Sequence, residues 1–310
     1  MNHPRIAVWI ALAAVLTAAP AFSQNGGGHG QAVVTVLPKA QREAHSAFDI
    51  QKMTLKVAGK DATVTKWEWY KSPDNRLELV LLFDDSERTS IGTQQGEIEK
   101  FINSLPAGTK AAIAYMQHGS AVFSGPLTAD HAAVLRGLRL PSGLPGSSTG
   151  AYFCLSDLAK RWPSQDAQAR REVVMVTDGA SYYQAGFDLN PPDINAAITD
   201  SARAGLVVYS IYWTGQGRFG SGFPGQNLLN YVTTATGGNS YWMGTGNPVS
   251  FRPYFHDLLR RFQNQYKLEF SSSGSAKPEV EALKLKFRLP GSDVSAPGQV
   301  LVVPAHFVGL

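Results

Sequence analysis

Three short stretches hold the residues able to do chemistry. LELVLLFDDSERTSIG (77–92) ends an apolar run in Asp84, Asp85, Ser86, Glu87, Arg88 and Thr89. PGSSTGAYF carries Ser147, Ser148 and Thr149, and VVMVTDGASYY ends a second apolar run in Thr177 and Asp178. Apart from Arg88, every side-chain donor in this set is an oxygen. Carboxylates and hydroxyls with room for water suit a hard divalent cation, Mg²⁺, Mn²⁺ or Ca²⁺, and not zinc. Carboxylates gathered in a partly dry cleft also repel one another, by roughly 4 kcal/mol per close pair at an effective dielectric of ~20. A cation is therefore needed, and two are open to this chain: a divalent metal, or Arg88 itself folded onto Asp84 or Asp178.

The elements around these loops must bring them together. From Leu77 the chain alternates strand and helix. LELVLLF, KAAIAYMQHG, REVVMVTDG and GLVVYSIYW read as strands, with SAVFSGPL as an edge strand. Between them SIGTQQGEIEKFINSL, TADHAAVLRGL, AYFCLSDLAKRW and PDINAAITDSARAG read as helices. Thr128 or Asp130 is placed to cap the second of these, and Gly205 to end the fourth. A last helix, SFRPYFHDLLRRFQNQ, carries Phe251, Tyr254, Phe255, Leu258, Leu259 and Phe262 at helical spacing, the stripe of a core-facing surface helix. Alternating units of this kind predict an α/β fold: a doubly wound, mainly parallel sheet with helices on both faces, its ligands bound beyond the carboxyl ends of the strands. The three loops would then share one edge. AVVTVLP, MTLKVAG and ATVTKWEWY before this block, and YKLEF, EALKLKFRLP and QVLVVPA after it, predict a small all-β module built from both flanks. The expected division is a leader at 1–23, an N-terminal β segment at 24–76, the α/β domain at 77–265 and a C-terminal β segment at 266–310.

At these residues the sequence resembles the von Willebrand factor type A (VWA) family, whose metal-ion-dependent adhesion site is written Asp-x-Ser-x-Ser after the first strand. Asp84 and Ser86 match its first two positions, Thr149 matches a Thr from a middle loop, and Asp178 matches an Asp after a later strand. The order of elements from Leu77 to about Gln265 is similar too. With LSDLAKRWP and RREVVMVTDG, the chain looks like the exported VWFA-related proteins common in Acidobacteria. The resemblance implies a metal held by Asp84, Ser86, Thr149 and Asp178, and a protein partner whose acidic side chain completes the coordination. The match breaks at Arg88, which stands where the motif has its last Ser. Thr89 and Ser90 have the wrong spacing to replace it simply. If the metal is absent, Arg88 is placed to receive a partner carboxylate directly. Asp85, Ser148, Tyr152 and Tyr182 are the further candidates for that contact. Tyr183 and Phe219 extend an aromatic rim, and GQGRFGSGFPGQN (215–227) would be a mobile lip.

Other classes fit less well. Asp85, His118 and Ser148 stand in the order of a subtilisin-like triad, but they lie too close in sequence for that fold, and the serine loop lacks GTS-x-A. No enzymatic activity is expected. The first loop has no G-x-G-x-x-G, and its carboxylates would repel a pyrophosphate. A metal-free structural module of an envelope assembly remains as an alternative. The net charge of +4, from 28 Lys and Arg against 24 Asp and Glu, is scattered and points to neither nucleic acid nor an anionic membrane. IAVWIALAAVLTAA, with Arg5 before it and Ala21-Phe22-Ser23 after it, reads as a cleaved secretory signal ending at Ser23, which predicts an exported, periplasmic or secreted protein without stable membrane insertion. The single cysteine, Cys154, shares a helical stripe with Ala151, Leu155, Leu158 and Trp162 and is expected to be core.

Overall fold

A computed structural model describes residues 27–39, 53–71, 75–144, 147–183, 191–215, 222–244, 246–273, 277–287 and 289–305. The expected leader at 1–23 and residues 216–221 of the expected lip, Phe219 among them, lie outside the described residues. Among the described residues no helix is long and apolar enough to cross a membrane.

The flanks supply β1 (Gly27–Pro38), β2 (Thr54–Val57), β3 (Lys60–Trp69), β10 (Gln265–Ser273), β11 (Glu279–Lys286), β12 (Ser292–Ser295) and β13 (Gln299–Pro304). They pair antiparallel in the order β10-β3-β2-β11-β13-β1, and β1 then pairs with β10, so six strands close into a barrel; β12 adds to β1. Inside it pack Val34, Val36, Leu55, Val57, Tyr266, Leu268, Phe270 and Val302.

The middle of the chain supplies β4 (Leu77–Asp84), α1 (Gln95–Asn103), β5 (Lys110–Gln117), β6 (Ser120–Phe123), α2 (His131–Leu135), α3 (Ala151–Lys160), β7 (Arg170–Thr177), α4 (Pro192–Ala204), β8 (Leu206–Tyr212), α5 (Gly222–Ala235), β9 (Ser240–Tyr241) and α6 (Arg252–Gln263). Its sheet runs β6-β5-β4-β7-β8-β9, parallel except for β6. One face packs Leu79, Leu81 and Phe83 of β4 with α1 and α6, where the rings of Phe101 and Phe255 stack 4.3 Å apart. The other face packs Val80 and Leu82 with α3, α4 and α5. Burying each such side chain is worth roughly 1.5–3 kcal/mol. Asp130 caps α2 through the Ala133 amide, and Gly205 ends α4 in the left-handed conformation at φ 67°.

The expectation of a doubly wound, mainly parallel α/β chain with a small β companion is therefore corrected. The chain combines a closed antiparallel barrel with a mixed sheet. Alternating apolar residues reveal that a strand is half-buried, not whether its sheet closes. Closure here rests on β1, which is long enough to pair with β10, β12 and β13 at once and so removes the open edges. A second correction concerns 215–227: its last part, from Gly222, opens α5, whose first turn is disguised in the sequence by Gly222, Pro224 and Gly225.

Candidate metal centre

Strand alternation decides where the first loop sends its two acids. Leu79, Leu81 and Phe83 face α1 and α6 while Val80 and Leu82 face α3, so Asp84 continues toward α3 and Asp85 toward the opposite face. Adjacent carboxylates thus enter different surroundings.

Asp84 is buried at 4% exposure. Its Oδ1 accepts from the Ser86 hydroxyl at 2.6 Å and the Ser86 amide at 3.0 Å, a local Asx turn. Its Oδ2 accepts from the Thr177 hydroxyl at 3.0 Å, and the Ser148 hydroxyl also bonds this carboxylate. The turn closes with the Glu87 amide on the Asp84 carbonyl at 3.2 Å, which returns Glu87 toward Asp84. Glu87 is 1% exposed, and its Oε1 accepts from the Asp178 amide at 2.7 Å. Asp84, Glu87 and Asp178 each offer one oxygen, all within 4.8 Å of one another. An oxygen-only set of three carboxylates with hydroxyls beside them fits a hard divalent cation. Gly215 closes one side of this group. A Cβ there would stand 3.0 Å from Asp178 Oδ2, so the bare backbone is what leaves the carboxylates their space.

Burial raises the pKa of Asp84, against the lowering effect of the hydrogen bonds from Ser86, Thr177 and Ser148. Burial also drives Glu87 well above the usual carboxylate range, and the charges of Asp84 and Asp178 push it further. A bound cation would act in the opposite sense on both.

The structure brings Asp84, Ser86, Ser148 and Asp178 together, and sets the other expected residues elsewhere. Thr149 is half-exposed at φ 60°, a strained conformation for a β-branched residue, and among the described residues no hydrogen bond joins it to the cluster. Arg88 does not fold onto Asp84 or Asp178: it is exposed, and its Nε donates to the Gly215 carbonyl at 3.1 Å. Asp85 is 2% exposed and engaged by Arg139, Gln117 and the Ser142 amide. Burial works to raise its pKa, but these partners outweigh burial and hold it low. Tyr152 is fully buried, its hydroxyl donating to the Gly179 carbonyl at 3.1 Å, so it is no rim residue. Tyr182 and Tyr183 are exposed at 60% and 46% and meet the ring of Phe153 edge-on. Their contact with α3 is close because Gly150, at φ 101°, has no Cβ to hold Tyr182 away.

His118 sits exposed in the turn after β5, and no hydrogen bond links it to Asp85 or Ser148 among the described residues. Cys154 is buried, and burial pushes its thiol up to about 12. Sequence reasoning named Glu87 and Thr177 beside the site without assigning them to it, and it missed Arg139. Glu87 had a signal, since the fourth residue of a tight Asp-initiated turn is brought back beside the first. Arg139 had none, because it comes from a distant loop.

No family model matches the chain, and no curated protein sequence does. The VWA likeness drawn from the sequence recurs among solved structures. A von Willebrand factor type A protein from Catenulispora acidiphila is 13% identical, covering 92% of this chain and 76% of that one with a TM-score of 0.43. An aerotolerance-related membrane protein from Bacteroides fragilis is 14% identical over 60% of this chain and 98% of its own, TM-score 0.42. The manganese-loaded TRAP protein of Plasmodium vivax is 13% identical over 76% and 97%, TM-score 0.40. With scores below 0.5, none of them decides what this chain does.

Proposed function

We propose that this chain is an exported protein-interaction module that holds a divalent cation at the C-terminal edge of its sheet and docks a protein partner there. The observation that carries the reading is the convergence of Asp84, Glu87 and Asp178, three carboxylates from two strand ends, each with an oxygen within 4.8 Å of the others. Asp84, Ser86 and Asp178 would hold the ion, with Thr149 reaching it from the strained turn before α3. Mg²⁺, Mn²⁺ and Ca²⁺ suit the donors, and the ion would present its remaining coordination positions to a partner's oxygen. Exposed Tyr182 and Tyr183 would form the aromatic part of the docking surface. Arg88, exposed beside the same edge, offers a metal-independent contact for a partner carboxylate.

A metal-free scaffold is the second reading. It is favoured by the way the Asp84 oxygens are satisfied internally by Ser86, Thr177 and Ser148. Calorimetric titration of the purified protein with Mg²⁺ and Mn²⁺ separates the two. The cation reading expects heat and a raised melting temperature, both lost in Asp84→Asn; neither signal at millimolar metal would leave the scaffold. Capture of a partner from envelope extract should fail with EDTA under the cation reading. Under Arg88-mediated capture it should fail with Arg88→Ala.

A further inference from the structure

We infer that Glu87 is a built-in anionic ligand of this cation, and that it fills the place which a partner's acidic side chain would otherwise take. The inference rests on the cation-binding reading and concerns how the same site meets its partner. In this chain the last hydroxyl of the Asp-x-Ser-x-Ser pattern is lost to Arg88, whose side chain turns outward to the Gly215 carbonyl. The residue before it turns inward instead. Glu87 is 1% exposed, is anchored on the Asp178 amide, and places an oxygen within 4.8 Å of carboxylate oxygens of both Asp84 and Asp178.

The surrounding backbone keeps it there. Glu87 and Gly215 form an antiparallel bridge, and Arg88 ties the same glycine, so the segment after β8 lies against the carboxylates. A Cβ at Gly215 would stand 3.9 Å from Glu87 Oε2 as well as 3.0 Å from Asp178 Oδ2. Three carboxylates exceed the charge of a divalent ion, so the loaded centre is net negative. A further carboxylate from outside would be repelled where a neutral oxygen would not be. The ion then serves chiefly to hold the β4, β7 and β8 loops together. The partner contact falls to neutral oxygens and to the exposed surface around Tyr182 and Tyr183.

The test uses Mn²⁺ alone, titrated calorimetrically into the full chain and into Glu87→Gln and Asp84→Asn, with melting curves in EDTA and in Mn²⁺. Wild type is expected to bind, Asp84→Asn not to bind, and Glu87→Gln to bind about tenfold more weakly or worse. In EDTA, Glu87→Gln should melt at or above wild type because a buried acid crowded by Asp84 and Asp178 gives way to a neutral amide; in Mn²⁺ that order should reverse. Acetate, standing in for a partner's acid, should strengthen Mn²⁺ binding by Glu87→Gln and not by wild type. Equal Mn²⁺ affinity in wild type and Glu87→Gln overturns the role of Glu87 while leaving the cation reading intact, and strengthening of wild type by acetate overturns the filled place. No Mn²⁺ binding by wild type overturns the cation reading and this inference with it. If Glu87→Gln fails to fold, Glu87→Asp, which keeps the charge but shortens its reach, must also bind more weakly than wild type, and equal affinity there overturns the role.

Discussion

Arg139 and Asp85 form a two-point ion pair, Nη1 to Oδ1 at 2.6 Å and Nη2 to Oδ2 at 3.0 Å, with the guanidinium 3.8 Å from the centre of the Tyr115 ring. The acidic loop after β4 thus has a resident arginine, but it is Arg139 and it serves Asp85, not Asp84. Asp85 gathers this arginine, Gln117 and the backbone of Ser142 into a clamp on the loop that follows α2.

Removing one partner leaves a buried carboxylate without its counter-charge, which costs about 3–5 kcal/mol in a fully buried pair. The Arg139 side chain is 38% exposed, so Arg139→Ala should lose about 2 kcal/mol by urea denaturation. Arg88→Ala, on the surface, should change stability by less than about 0.5 kcal/mol.

Ser148 and Thr149 make opposite predictions although they are neighbours. Thr149→Gly relieves a β-branched residue at φ 60° and should stabilise the metal-free protein by about 1 kcal/mol, while weakening Mn²⁺ binding if Thr149 is a ligand. Ser148→Ala removes a donor to buried Asp84 and should destabilise by about 1 kcal/mol. Full Mn²⁺ affinity in Thr149→Gly would remove Thr149 from the ligand set.

A pH dependence should arise far from the candidate centre. Glu172 is wholly buried at the base of β7, and burial pushes its carboxyl from 4.5 up to about 7 even with Arg170 Nη1 3.9 Å away. Between those two values the folded state binds more protons than the unfolded state, so this residue's contribution to stability falls as pH rises through that window and is flat above it. The loss is on the order of 3 kcal/mol. Glu172→Gln should remove it, so the stability gap between the variant and wild type should widen in the variant's favour from pH 5 to pH 8 in urea titrations. A gap independent of pH would show that Glu172 does not titrate there.

The strands and helices of the sheet were legible because burial on both faces leaves unbroken runs such as Leu79 to Phe83, and burial on one side leaves stripes such as Ile98, Phe101 and Ile102. The barrel was only half legible: alternation marked its strands, but closure depends on pairing Gly27–Thr35 with residues more than two hundred positions away. At the centre, Asp84, Ser86 and Asp178 could be placed from their positions at strand ends. Asp85 could not, since nothing in two adjacent aspartates says that one meets Thr177 and the other Arg139. Tyr152 was misassigned to a rim because position 152 follows a polar loop, yet it begins the inward face of α3.

The joining of the two halves bears on the order in which the chain folds. The Trp69 indole donates to the Gln263 carbonyl across 194 residues, and the Tyr70 amide donates to the Gln265 carbonyl beside it. Closing a loop of that length in an unfolded chain costs about 5 kcal/mol of chain entropy before any barrel contact is gained. If the intervening sheet forms first, α6 delivers β10 to β3 with that entropy already spent. The expected kinetic sequence is therefore early protection of amides in β4, β7 and β8 and late protection in β1 and β10, with barrel closure as the slow step.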